Sequence, residues 1–392
     1  EFLRTRKKIF LIGLLPMLGA LFLTKSMGGV LSLLAGSLLF LWAILKEGLI
    51  KGAGRRVLRV GLIFILLVIT IIFYQRTGYQ TAEFRPSESF IQRFSYWKAA
   101  VKGIKRFPLV GAGMGNFGLV YSQFKPPQAN ETHYAHNAFL QIWSEMGLMG
   151  AVSLIWFIVL FYRRGLEERK EKIGLLAAGT AFLVHNGVDN TFFMPEVVFY
   201  WWIILGLIFM DSQKRITPAG PLKVFLAILA LTVLYPTLIF LKGESAYREG
   251  LDRFRKGESR EALLFLKEAA AREPYRSLYH STLARAYLAL SPPRIQEGMK
   301  EYKRAIALSP YQPFNHYELG LLYQKRGNRE RALEMFLEAV RLYPAQISFH
   351  HTLAHYYLEE GRKGEAMREF EEIITLDPDN TVAREHLKSL KR

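Results

Sequence analysis

The chain has 392 residues, 51% of them hydrophobic, with 52 basic and 34 acidic side chains and no cysteine, which excludes disulfides, thiolate metal sites and a cysteine nucleophile. The charge is uneven: 26 basic and 12 acidic residues lie up to Leu241, against 26 and 22 after it. Nearly all the long apolar runs fall in the first part, so one protein that meets a single solvent is excluded.

Seven stretches are apolar enough to span or nearly span a bilayer: residues 9–23, 28–45, 57–74, 138–162, 173–190, 196–210 and 222–241. Basic residues cluster at Arg4 to Lys8, Lys46 to Arg59, Arg163 to Lys172 and Lys214 to Lys223, which are alternate connections. The positive-inside bias assigns these four to the cytoplasm and residues 75–137, the turn near Asn190 and everything after Leu241 to the outside. The first apolar run lacks a small-residue cleavage site and is followed by another span, so it does not read as a signal peptide. A start at Glu1 rather than Met predicts an incomplete N-terminus with further spans before it.

The outside loop, 75–137, is too long for a simple connection. A capping box from Ser89 to Gln92 predicts a helix start, and Phe90, Phe94, Trp97, Val101 and Ile104 recur at spacings that build one apolar face. Lys98, Lys102, Lys105 and Arg106 between them suit a helix lying beside anionic headgroups. Arg93, just before Tyr96 and Trp97, offers a planar fork for a phosphate. Residues Gly113 to Gly118 match a dinucleotide-binding spacing, but no βαβ unit fits there and no acidic residue follows at the right distance; the glycines are read as tight turns.

His136 and Asn137 stand where the fourth span begins. A helix N-terminus attracts phosphate and favours a neutral imidazole able to accept a proton, while the plain alternative is a histidine capping a helix at the water boundary. Asn137, Gln141 and Ser144 continue as a polar stripe into the span. In the fifth span His185 and Asp189 share a face at i, i+4, with Asn186 beside them; two potential ligands do not make a metal site, and interhelical bonding is expected.

After Leu241 a period appears. Pro274, Pro310, Pro344 and Pro378 are spaced by 36, 34 and 34 residues, the length of a tetratricopeptide repeat. Small and large residues recur accordingly, as in Gly320, Tyr323, Ala332 and Phe336, then Ala354, Tyr357, Ala366 and Phe370. Four helical hairpins and a capping helix near 381–390 are expected. His280, His316, His350, His351 and His355 are scattered through first helices and are read as packing or groove residues. The fold class is therefore all-α, a polytopic transmembrane bundle over 1–241 followed by a tetratricopeptide-repeat solenoid over 242–392.

Taken together, the runs Arg93 to Ala100, Phe107 to Gly113, His136 to Gln141 and Glu145 to Gly150 resemble the O-antigen ligase and polymerase family of bacterial envelope glycosyltransferases, over roughly residues 1–210. The resemblance implies transfer of a glycan from a polyprenyl diphosphate carrier to an envelope acceptor without metal or cofactor, in the inner membrane, with the loop and the repeats periplasmic. It implies that Arg93 contacts the diphosphate and that His136 stands at the transfer site. Lys98, Lys105, Arg106, Asn137 and Gln141 are expected to contact diphosphate or glycan, with His185 and Asp189 behind them. One departure is Thr24-Lys25-Ser26-Met27-Gly28, where the family has an arginine at the place of Met27; either Lys25 supplies that charge or this subgroup does without it. The seven spans are also fewer than the family's ten or more.

Polymerase action, transfer to a protein and a membrane-anchored scaffold without activity are the alternatives. The expected partners are the carrier-linked donor, a lipid, glycan or protein acceptor, and a protein bound by the repeats. Nucleic acid is not among them, because the basic residues divide into a topology signal and the loop.

Overall fold

In the computed structural model, residues 19–21, 23–24, 26–48, 70, 86–127, 129–210 and 220–391 are described. The described residues form helices and connecting turns and no strand. The chain divides into two compact units, residues 1–214 and 215–392. The expected span 57–74 lies outside the described residues except for Thr70, as does most of 9–23.

In the first unit α1 is Met27–Lys46, α2 Pro86–Arg106, α3 Phe117–Ser122, α4 Ala138–Glu167, α5 Arg169–Asn186 and α6 Pro195–Phe209. By length and composition, Gly28–Lys46 and Ala138–Glu167 are able to cross a membrane, and Pro195–Phe209 is a shorter apolar helix. Helices α4 and α5 form a hairpin whose core, Phe161, Leu176, Leu183, Trp201, Leu205 and Ile208, is completed by α6. Small residues allow close approach: a Cβ on Gly36 of α1 would lie 2.8 Å from the Ala177 carbonyl oxygen of α5, and one on Gly179 would strike the Phe161 ring at 2.3 Å.

At one end of this bundle, buried Lys172 donates to the carbonyls of Ile208 (2.6 Å) and Met210 (3.1 Å), neutralising the C-terminus of α6. Arg169 donates to Glu47 at 2.6 Å, just beyond the end of α1. The opposite end of α1 starts at the Ser26 cap, where the side chain accepts from the Gly29 N–H at 3.1 Å.

Helix α2 corrects two expectations. It begins at Pro86, so Ser89 stands in the first turn rather than at the cap. Its buried face is Tyr96, Ala99, Ala100 and Gly103, packed with Phe117, Tyr121 and Ala135, because small residues let α2 sit tightly on the loop. The predicted apolar stripe faces outward at Phe94 and Val101, while Trp97 and Ile104 are half-buried and the Phe90 side chain lies outside those described.

In the second unit, α7 runs without interruption from Gly220 to Arg255, through position 241. The change at Leu241 is therefore one of side-chain character along one helix. Its C-terminal part pairs with α8 (Ser259–Arg272), and three further hairpins follow: α9–α10 (Ser277–Leu288, Ile295–Leu308), α11–α12 (Pro313–Lys325, Arg329–Leu342) and α13–α14 (Ile347–Glu359, Lys363–Leu376), then α15 (Thr381–Leu390). The recurrent positions are core: Leu319, Tyr323, Ala332, Phe336, Leu353, Ala354, Ala366 and Phe370 are all buried. The expected packing role of the recurring histidines has a specific form. The Nε2 of His280, His316 and His350 lies 3.1, 2.9 and 2.8 Å from the carbonyl oxygens of Pro274, Pro310 and Pro344, six residues earlier, tying each inter-repeat turn to the next helix.

Candidate active site

The turn 107–116 and the break in α4 hold each other. Gly147 interrupts α4 with φ +63°, which leaves carbonyls of the preceding turn without helical partners. The turn supplies them: Ala112 N–H donates to Ser144 O and Gly113 N–H to Glu145 O, both at 2.9 Å, and Leu148 N–H donates back to Pro108 O at 2.9 Å. No other residue fits at the contact. A Cβ on Gly111 (φ +74°) would lie 2.3 Å from the Glu145 carbonyl, and one on Gly147 would lie 2.3 Å from Leu109 O. The buried Glu145 carboxylate accepts from Phe117 N–H (3.1 Å) and from the Gln141 amide (3.2 Å), and Gln141 Oε1 accepts from Ala135 N–H at 2.9 Å.

That lattice sets the backbone before α4. His136 takes φ +48°, the one non-glycine residue at positive φ among the described residues. Such a conformation is sustained only where its surroundings fix it. Asn137 caps α4, accepting from Leu140 N–H at 3.0 Å, and its amide donates to Gly187 O at 2.8 Å. The turn after α5 is thereby brought beside His136.

Four segments meet there. His136 Nδ1 is 3.5 Å from Asp189 Oδ1, and its ring stacks on Tyr96 with centroids 5.5 Å apart. Arg93 donates to Val188 O at 2.7 Å and holds its other terminal nitrogen 3.9 Å from Asp189 Oδ2. His185 Nε2 is also 3.9 Å from Asp189 Oδ2. The start of α1 closes the group, since a Cβ on Gly28 would be 3.2 Å from both His185 Cε1 and Val188 Cγ2. Burial raises the Tyr96 hydroxyl pKa above its usual value, against the opposing pull of Arg93, so the ring stacked on His136 is a neutral phenol.

Of the residues singled out from sequence, Arg93, His136, His185 and Asp189 are brought together. Asp189 reaches them from the turn after α5, which ends at Asn186, so the expected shared helical face is replaced by a turn. Asn137 and Gln141 adjoin the group, with their amides engaged by the protein. Lys98, Lys105 and Arg106 are exposed along the outer side of α2, where Arg106 donates to Gln123. Lys25 lies outside the described residues. Sequence reasoning missed Tyr96 and Glu145 as participants; the available signal was spacing, since Tyr96 is one turn from Arg93 and Glu145 one turn from Gln141. Among the described residues no group of three metal-binding side chains is assembled.

In comparison with known proteins, residues 12–155 match the O-antigen ligase family, and residues 313–346 and 347–380 each match a tetratricopeptide repeat. No curated protein matches the chain. Similar solved structures include MamA of Desulfovibrio magneticus RS-1, 21% identical with a TM-score of 0.35 over 38% of this chain and 84% of that one. PilF of Pseudomonas aeruginosa is 19% identical, with a TM-score of 0.34 over 39% and 68%. A tetratricopeptide-repeat protein of Thermus thermophilus is 23% identical, with a TM-score of 0.33 over 43% and 94%.

Proposed function

We propose, from the match of residues 12–155 to the O-antigen ligase family and of residues 313–346 and 347–380 to tetratricopeptide repeats, that this protein is a multi-pass inner-membrane glycosyltransferase that moves a glycan from a polyprenyl diphosphate to an envelope acceptor. The observation that carries this reading is the meeting of Arg93, His136 and Asp189 at one end of the helical unit. A proton held on Nδ1, which lies 3.5 Å from the Asp189 carboxylate, leaves His136 Nε2 as the proton acceptor. The acceptor hydroxyl loses its proton to Nε2 as its oxygen bonds to the anomeric carbon, and the bond from that carbon to the diphosphate oxygen breaks. The departing diphosphate carries the charge, which the unengaged donors of Arg93 and the exposed Lys98, Lys105 and Arg106 are suited to meet. No step needs a metal.

The exposed Phe94, Val101, Leu109 and Val110, flanked by these cations, support placing α2 and the following turn at the lipid interface beside the carrier headgroup. Domain limits of 1–241 and 242–392, the periplasmic side for the loop and repeats, and recruitment of an acceptor or protein by the repeats belong to the same proposal. Polymerase action and protein glycosylation would use the same residues. The scaffold reading rests on Met27 at the start of α1, and the intact group around His136 favours the enzyme.

The test is glycan transfer from a polyprenyl diphosphate donor by purified full-length protein. Arg93→Ala and His136→Ala should each remove product while the protein still inserts. Undiminished product from both variants would sink the assignment. Removal of 242–392 should change acceptor choice while carrier binding persists, if the repeats recruit.

A further inference from the structure

The repeats hold a cavity of about 690 Å³ that the glycosyl-transfer reading does not use. It lies where the first half of α10 faces the α11–α12 turn, and its volume falls in the range of ligand clefts. Lys300 and Lys303 reach it from α10, Arg326 from the end of α11 and Arg331 from the first turn of α12. The sole carboxylate in the lining is Glu297. The lining thus sets four cations against one carboxylate, whereas Arg253, Arg272, Arg341 and Arg362 elsewhere in the solenoid each pair with a glutamate.

None of the four cations has a carboxylate partner among the described residues. Lys303 and Arg331 instead lie over the Tyr323 ring, each 5.6 Å from its centroid, and Arg331 Nη1 is 3.4 Å from the Tyr323 hydroxyl. Arg326 contacts the sulfur of buried Met299 at 3.7 Å. Aromatic and thioether contacts orient Lys303, Arg326 and Arg331 without neutralising them, and each of the two arginines engages its Nη1 alone.

From this arrangement we infer that the cavity is a binding site for an acidic peptide segment, a stretch of a partner protein that presents two carboxylates close together. Arg326 and Arg331 stand on either side of the Gly327–Asn328 turn and offer two forks for bidentate carboxylate bonding, and the two lysines of α10 supply the long-range attraction. A glycan is the poorer occupant, because Tyr323 is only 7% exposed and its ring is covered by Lys303 and Arg331, so no aromatic face is open for a sugar to stack on.

The experiment measures anisotropy of a fluorescein-labelled hexapeptide of alternating aspartate and leucine with the full-length protein in detergent, beside its asparagine–leucine counterpart. The acidic peptide should bind and the neutral one should not. Binding should weaken at least about tenfold between roughly 0.05 M and 0.5 M salt. Arg326→Gln/Arg331→Gln should weaken it by about tenfold or more, whereas Arg384→Gln, on the capping helix, should leave it unchanged. If the double arginine variant fails to fold, Lys300→Glu/Lys303→Glu, at exposed positions, must produce the same loss. Equal binding of both peptides, unchanged binding by the folded variants, or binding of a polyuronate oligosaccharide without binding of the peptide would overturn the inference. Glycan transfer to an acceptor that lacks such a segment is expected to survive both double variants, which separates this site from the one around His136.

Discussion

His136 is held by three things at once: a left-handed backbone, a ring stacked on Tyr96 and a carboxylate at its Nδ1. Replacing Asp189 by Asn keeps the shape but removes the charge that favours the Nδ1–H tautomer and steadies an imidazolium. Asp189→Asn is therefore expected to lower turnover at least about tenfold while donor binding, measured by retention of labelled carrier, changes little. A loss confined to donor affinity would instead make Asp189 a partner of Arg93 alone. Gly111 and Gly147 present a different residue-scale demand. Each has positive φ and a carbonyl 2.3 Å from where a Cβ would stand, so Gly111→Ala or Gly147→Ala should destabilise the first unit by more than about 2 kcal/mol, read as a lowered melting temperature. Unaltered melting would show that the turn and the break in α4 can separate without cost.

At the scale of the element, periodicity predicted α2 well as a helix and poorly as a packed surface. Phe94 and Val101 formed the apolar stripe that the spacing picks out, yet the protein buries Tyr96, Ala99 and Ala100. Spacing identifies a face, and it cannot say whether lipid or protein covers it. The last repeat shows electrostatics added to a legible scaffold. Burial lowers the His350 pKa, but the hydrogen bond to Glu369 at 2.7 Å and the Pro344 carbonyl outweigh it, and the net direction is upward from 6.5. His351 moves downward through burial and the neighbouring His355 and His386.

The signs are opposite, and so are the consequences. The raised His350 contributes stability that is present below pH 6.5 and is lost as pH rises through its folded value. The lowered His351 contributes stability present above 6.5 and lost as pH falls toward its folded value. Hydrogen-exchange protection of α13, corrected for intrinsic rate, should therefore peak near pH 6.5. His350→Gln should flatten the alkaline side and His351→Gln the acid side; a profile unmoved by either variant would exclude these two rings as its source.

For the whole molecule, the first unit has two chemically different ends. Gly28 at the start of α1 packs on His185 beside the Arg93, His136 and Asp189 group, and Glu47 past its end accepts from Arg169. Twenty helical residues separate these ends by about 30 Å, the thickness of a hydrocarbon core. The absence of cysteine makes sidedness directly testable. A single Lys98→Cys should be labelled by an impermeant maleimide in cells with a permeabilised outer membrane, and Lys170→Cys only after the inner membrane is opened. The reverse pattern would invert the proposed topology.

Composition and period alone determined the all-helical class, the four hairpins with their cap, and the residues that line the repeats, because burial at a fixed helical spacing leaves a mark in every turn. Residue chemistry and position also singled out Arg93 for its guanidinium fork, His136 at the start of the fourth span and Asp189 in the fifth, where a polar group is costly to keep without a partner. Tertiary structure alone decided that Gly111 docks into the break at Gly147, that Gln141 and Glu145 spend their hydrogen bonds on the loop, and that Tyr96 rather than Trp97 meets His136. Those pairings join residues far apart in the chain, and a carbonyl freed by one glycine finds its donor only when the other segment has folded against it.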